Sequence, residues 1–319
     1  MPSNYDISDR CNLRCEGCLY FEGDDRLAHL DSGDEGDWVS FFAREAERGV
    51  NFAYIAGAEP ALQVDRIRIA SRYIPNGVIF TNGTRPIPQD IDFRIHVSTW
   101  GARELNTTLR GGDNAPKALR LYARDPRAVF VYTISSANIA DIYDVAEALH
   151  GFGATLTFSY FSPTSSYLAR LSGVRPATSD YFRVSTADDN LILGRGDFAR
   201  ARDQIAQAME DFPGTIAYSL EYDDWITRIG HYTLDDQGVA ADCGVRKTSR
   251  HLHFAVDMSE SAGKCCSPNL DCRECRAYAQ GYASYLTHYN RVKSDPAKLD
   301  SWLSVWELWA DMFMPVKRT

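Results

Sequence analysis

Eight cysteines gathered in two groups set the tightest limit on what this chain can become. They stand at 11, 15 and 18 and at 243, 265, 266, 272 and 275, with none in between. The opening stretch, MPSNYDISDR, has no apolar core of the kind that starts a secretory signal, so a cytoplasmic location is expected. In a reducing compartment, clustered thiols bind metal or do redox chemistry rather than form a disulfide framework. The first group reads Cys11-Asn12-Leu13-Arg14-Cys15-Glu16-Gly17-Cys18, a C-x3-C-x2-C spacing. A closed tetrahedral zinc site wants four ligands, commonly as two C-x2-C pairs, and no fourth cysteine or nearby histidine follows. Three thiolates on a short loop can instead hold three irons of a [4Fe–4S] cube. The fourth iron is then left to a ligand that is not protein.

The rest of the chain is that of a folded protein. At 319 residues, 45% hydrophobic and 24% charged, it can build one large domain or about two of ordinary size. No apolar run is long enough to cross a bilayer, so no membrane partner is expected. The formal net charge of -9 is the opposite of what a phosphate-backbone binder carries, which argues against nucleic acid. An acidic surface draws cations and faintly favours an amine-bearing substrate, although solubility alone accounts for it more simply.

Alternating strand and helix patterns follow the first cysteines. Asn4–Ser8 reads as a strand, and Phe52–Ala56, ended by Gly57, as a buried parallel one. Val78–Thr81, Ile95–Thr99, Val129–Thr133 and Ala154–Phe158 are four more, with amphipathic helices at Trp38–Arg48, Ala115–Ala123 and Ile142–His150 between them. Repeated β-α units with right-handed crossovers build a parallel sheet or barrel whose chemistry sits at the carboxyl ends of its strands. A composition shift after residue 165 leads through polar and acidic segments and a helix at Ala199–Asp211. Beyond it lies Tyr218–Trp225, where aromatics interleave with carboxylates as in a ligand-binding or a solvated acidic loop.

The C-x3-C-x2-C stretch just after a first strand resembles the signature of the radical S-adenosylmethionine (SAM) superfamily. The resemblance implies an α/β fold, a partial (β/α)6 barrel, over residues 1–215. It implies a [4Fe–4S] cluster on Cys11, Cys15 and Cys18, whose open iron chelates SAM. Further strand ends resemble the family's SAM contacts. Ala56-Gly57-Ala58-Glu59-Pro60 is similar to its GGEP loop, with Gly57 giving close backbone approach and Glu59 a carboxylate. Thr81-Asn82-Gly83 and Ser98-Thr99-Trp100-Gly101 resemble the next two strand ends, and Ser135 follows the fifth strand. Asn82, Ser98 and Ser135 are thus expected cofactor contacts. The residue before the third cysteine is often aromatic in the family and packs near the adenine. Here it is Gly17, and Leu19 or Tyr20 is the candidate substitute.

Four of the five later cysteines can ligate a second, fully protein-held [4Fe–4S] cluster, and a structural zinc could use the same thiols. The resemblance favours iron. Radical SAM enzymes with a Twitch or shortened SPASM extension carry two early cysteines flanking a hairpin and a later C-x2-C before a helix. On that reading residues 216–319 form an auxiliary module with Cys243, Cys265, Cys272 and Cys275 as ligands. His251–Val256 is its strand candidate, and a Tyr278–Asn290 helix and a Trp-rich tail pack it on the barrel. Seven ligands leave one thiol of Cys265 and Cys266 over, and Cys266 is taken as the spare. Buried free cysteine is commonly inert, but a thiol facing substrate could return a hydrogen atom to a carbon radical, as radical SAM epimerases do.

With the first cysteine at residue 11, an N-terminal leader-binding domain of the peptide-modifying members is not expected. Architecture and charge look most like the aminoglycoside- and sugar-modifying members, among them the epimerases of neomycin-type antibiotics. The implied function is hydrogen abstraction from a small, cationic sugar or aminocyclitol by a 5′-deoxyadenosyl radical, with epimerisation first. Radical dehydrogenation through the auxiliary cluster comes second and peptide modification third, and the electron donor expected is a flavodoxin or ferredoxin. The alternative from another class is a zinc-stabilised binding protein.

Overall fold

A computed structural model describes residues 1–21, 30–173, 185–247, 251–261 and 270–315. Cys265 and Cys266 lie outside the described residues.

Six strands run in chain order: β1 (Pro2–Asp6), β2 (Phe52–Ala56), β3 (Gly77–Thr81), β4 (Arg94–Thr99), β5 (Ala128–Ile134) and β6 (Leu156–Tyr160). Each pairs parallel with the next, and a short β7 (His253–Phe254) adds parallel to the free edge of β1, giving the order β6-β5-β4-β3-β2-β1-β7. Parallel neighbours need crossovers, and helices supply most of them: α1 (Glu35–Glu47), α2 (Val64–Tyr73), α3 (Arg103–Arg110), α4 (Ala115–Tyr122) and α5 (Ile142–Phe152). The expected α/β class and parallel barrel sheet are what the chain forms.

Alternation along the strands decides what faces inward. On β5, Phe130 and Tyr132 pack into the main core, while Val131 and Thr133 line a central cavity. Asn4 and Asp6, Tyr54 and Ala56, and His96 and Ser98 face the same cavity from β1, β2 and β4. Side chains from every strand therefore share one lumen.

Several boundaries differ from the sequence-based ones for local reasons. α1 starts three residues early because Asp34 accepts from the Asp37 amide and Asp37 reciprocates, a capping box. β6 starts two residues late because Gly153, at φ 68°, closes α5 and the Ala154 amide bonds back to Leu149. The helix expected over Tyr278–Asn290 breaks in two.

After β6 the chain adds α6 (Ser165–Leu171), α7 (Arg195–Asp211) and α8 (Leu220–Ile226), then α9 (Gly244–Lys247), β7, α10 (Tyr278–Leu286), α11 (Tyr289–Val292) and α12 (Pro296–Phe313). The Tyr218–Trp225 stretch is neither a ligand loop nor a solvated one. Ser219 caps α8, and fully buried Asp223 accepts from the hydroxyls of Tyr160 (2.7 Å) and Tyr218 (2.9 Å), tying α8 to β6.

The strand candidate His251–Val256 forms only at His253–Phe254. It joins the barrel sheet through β1 and turns at Met258 into a hairpin bridged between Phe254 and Glu260. α9 and α10 close the side of the lumen with small residues: Gly244, Ala277, Ala279 and Ala283 line it. At the amino ends of the strands the end of α12 plugs the barrel. The Met312 carbonyl accepts from Arg94 Nε and His96 Nε2, both at 3.0 Å, and Phe313 lies edge-on to His96.

Candidate active site

The loop after β1 carries Cys11, Cys15 and Cys18, and all three line the central cavity, whose volume is about 400 Å3. Two neighbouring elements grip it. From α3, the Leu109 and Arg110 carbonyls accept from the amides of Glu16 (2.9 Å) and Arg14 (3.3 Å). From the loop after β3, Asn82 Nδ2 donates to Asn12 Oδ1 (2.9 Å) and reaches Cys11 Sγ (3.6 Å). Asn82 is fixed in turn: its Oδ1 accepts from the Thr84 amide (2.9 Å) and hydroxyl (2.6 Å), and its amide donates to Glu59 (2.7 Å).

Glu59, 1% exposed, accepts besides from the Thr81 hydroxyl (2.6 Å) and the Ala61 amide (2.9 Å). Its carboxylate thus ties the loop after β2 to the loop after β3 while lining the cavity. Burial pushes its pKa up, and those donors oppose the rise. Gly57 has φ 117°, and a Cβ there would come within 3.0 Å of the Ile7 and Ser8 backbone. Only glycine lets the two loops approach this closely.

Of the other expected contacts, Ser98 and Tyr20 line the cavity. Ser135 is wholly buried behind the end of β5, its amide donating to Asn138 Oδ1 (2.7 Å), and is not among the lining residues.

The position before Cys18 answers its own departure from the usual pattern. Gly17 sits at φ 62°, and a Cβ there would lie 2.6 Å from the Phe161 ring. An aromatic from the end of β6 thus occupies the space beside residue 17. Phe161 lines the cavity, edge-on to Trp100 and Tyr167. Nothing local in the sequence marks it, because the contact joins residues far apart in the chain.

Arg110 was also not legible from sequence. An arginine ending an amphipathic helix reads as a surface cation complementing the dipole. Here it is 3% exposed, lines the cavity, donates to the Ser98 carbonyl, and brings Nε to 3.5 Å from Cys15 Sγ. It puts a buried positive charge beside the thiols.

Those thiols suit an iron–sulfur cube. Burial, with the charges of Cys15 and Glu59, raises the Cys11 pKa. Burial, with Cys15 and Cys11 nearby, pushes Cys18 up to about 12. Three thiolates crowded here need cationic compensation, which iron supplies. Among the described residues, no three His, Cys, Asp or Glu side chains converge as they would round one ion. A cube takes one thiolate per iron, so its ligands surround it instead of meeting at a point.

Comparison with solved structures decides the fold. The chain superposes on native anSMEcpe with bound AdoMet (that is, SAM) with a TM-score of 0.53 and 17% identity, over 83% of this chain and 74% of that one. The polyhistidine-tagged form of anSMEcpe with AdoMet gives a TM-score of 0.54 at 16% identity, over 98% and 88% of the two chains.

The chain shares the fold of these AdoMet-bound structures.

A third likeness, to anSMEcpe with AdoMet and the Cp18Cys peptide, has a TM-score of 0.51 at 14% identity, over 98% and 87%. Two curated proteins match locally. One is the PqqA peptide cyclase of Methylocella silvestris, 35% identical over 78 residues, 24% of this chain and 20% of that protein. The other is the GTP 3′,8-cyclase of Listeria welshimeri, 36% identical over 63 residues, 20% of this chain and 19% of that protein. Each match spans about a fifth of the relative's own length. No protein-family model matches the chain. No described helix is long and apolar enough to cross a membrane.

Three of the later cysteines gather in a satellite core. Buried Cys243 and Cys275 pack with Tyr232, Val245 and Ala277, and Cys272 lies against them. The His231 ring bonds the Cys275 carbonyl (2.9 Å) and is itself held neutral by burial.

Proposed function

We propose that the chain is a radical SAM enzyme. One observation carries the reading: the C-x3-C-x2-C thiols line the same cavity as Gly57, Glu59, Asn82, Ser98 and Arg110, in a fold shared with AdoMet-bound structures. When bound, the cluster and SAM together supply a 5′-deoxyadenosyl radical, which takes a hydrogen atom from substrate carbon. The chain's residues hold and orient them. Cys11, Cys15 and Cys18 would ligate the cluster, with Asn82 and the carboxyl end of α3 fixing their loop. Arg110 offers a buried counter-charge to a carboxylate. Phe161 and Tyr20 offer aromatic surface to a base.

We propose further that Cys243, Cys272, Cys275 and Cys265 ligate an auxiliary [4Fe–4S] cluster in a Twitch-like module over 216–319. The packing of the first three in one small core supports this. The substrate class proposed is a small sugar or aminocyclitol, and the reaction epimerisation. The substrate radical takes a hydrogen atom from the Cys266 thiol on the opposite face, and the resulting thiyl is reset by one electron and one proton, the electron from a flavodoxin or ferredoxin. In the second reading, dehydrogenation, the auxiliary cluster would accept the substrate radical's electron while its proton leaves to solvent.

Anaerobic reconstitution tests the class. About eight irons per chain are expected, as two cubes require, together with 5′-deoxyadenosine on reduction. Stoichiometric zinc with intact SAM would overturn the reading. Turnover in heavy water leaves solvent deuterium in an epimerised product and none in a dehydrogenated one.

A further inference from the structure

The seam between β1 and β7 carries a polar cluster that the cysteine loop does not use. His253 Nε2 donates to Asp6 Oδ2 at 3.0 Å, and both residues are buried, at 3% and 2% exposure. The Asp6 carboxylate takes the hydrogen on His253 Nε2, which leaves Nδ1 as the ring's other polar atom. Among the described residues that Nδ1 has no partner, and neither has Nε2 of His251, also 3% exposed. Buried polar atoms are nearly always bonded, so two unmet ones in one wall call for a ligand or water.

All three residues line the central cavity. The small residues Gly244, Ala277, Ala279 and Ala283 line the same cavity, and so does Gln280. Burial, with His253 and Arg48 nearby, pulls His251 down to about 4, so at neutral pH it carries no charge.

We infer that His253, positioned by Asp6 and flanked by His251, is a substrate subsite that hydrogen-bonds a hydroxyl or amino group on a small ring. The inference rests on the proposed function, which makes this cavity the place where substrate sits, and it deepens that reading by naming what recognises the substrate's polar group. Asp6 acts through His253 and is a positioning residue. The Asp6 carboxylate behind His253 makes an amino group the better guest.

The test is calorimetric binding to the reconstituted holoprotein with SAM. The two probes are 2-deoxystreptamine, which carries ammonium groups, and myo-inositol, which carries only hydroxyls. The expected result is that 2-deoxystreptamine binds more tightly, and that His253→Gln weakens it by about tenfold or more. Asp6→Asn is expected to weaken it less, and both variants should keep the wild-type cluster absorbance and melting temperature. If Asp6→Asn does not fold, His253→Gln and His251→Gln carry the test alone. The inference is overturned if His253→Gln binds the probe as wild type does, or if wild type binds neither probe. Cleavage of SAM by wild type is scored separately. Its absence sinks the proposed function but leaves any His253-dependent binding standing.

Discussion

Gly17 and Phe161 show how one missing side chain shapes a site. A glycine in a cysteine loop reads as a concession to the turn, and φ 62° bears that out in part. The other part is the Phe161 ring, 2.6 Å from where a Cβ would stand. Gly17→Ala should push the loop off Phe161. We expect a loss of about 1–3 kcal/mol, the usual range for overpacking, read by thermal melting, with reduced iron loading. Unchanged iron content and stability would refute the account of this contact. Asn82 makes a complementary case. Asn82→Ala removes its side-chain bonds to Asn12, Thr84 and the Cys11 sulfur. The cluster should then load incompletely, measured as iron per chain and as the low-temperature EPR signal of the reduced protein. The sequence marks Asn82 as part of a Thr-Asn-Gly strand end. It does not mark that its amide reaches back to the cysteine loop, because the two are 71 residues apart.

Among the elements, α12 and the α9–α10 pair matter most to the cavity. A C-terminal helix rich in tryptophan reads as a packing surface, and its last turn does more by closing the barrel base. Phe313 is fully buried, stacked with Trp309 and Tyr278 and edge-on to His96. Phe313→Ala should cost about 3–5 kcal/mol, as for other large-to-small changes in a core, seen as a lower denaturant midpoint. At the other closure, a Cβ on Gly244 would meet the Ala283 carbonyl at 2.4 Å, backbone that cannot turn aside. Gly244→Ala should therefore force α9 from α10, lower the melting temperature and disturb Cys243 next to it. Iron loading and melting temperature unchanged from wild type would contradict this.

The molecule as a whole buries several histidines as neutral rings. His96 is pulled down to about 3, mainly by burial against the weaker pull of its bond to the Met312 carbonyl, and His251 to about 4. His231 and His288 are lowered too, again chiefly by burial. The unfolded chain, with histidines near 6.5, binds protons that the folded chain refuses, so stability must fall as pH drops below that value. For His96 the decline continues to about pH 3. Melting temperatures between pH 7 and 4 should fall steadily, and His96→Phe should flatten part of the slope. An equal slope in that variant would show that other groups set the acid limit.

What the sequence by itself determined is what chain neighbours can fix. The spacing of Cys11, Cys15 and Cys18 is one such feature. The runs that became the strands β1 to β6 are another, since a parallel strand buried on both faces reads as a short apolar run whatever surrounds it. The small, polar strand ends with Gly57, Glu59, Asn82 and Ser98 belong with them. Tertiary structure alone decided which of these meet and what else joins them. It turned Arg110 inward, set Phe161 against Gly17, buried Asp223 where an acidic loop was expected, and laid β7 beside β1 so that His253 faces Asp6 across 247 positions of chain. Periodicity and spacing act over a few residues, whereas burial, charge pairing and close approach are settled between segments that share no stretch of chain.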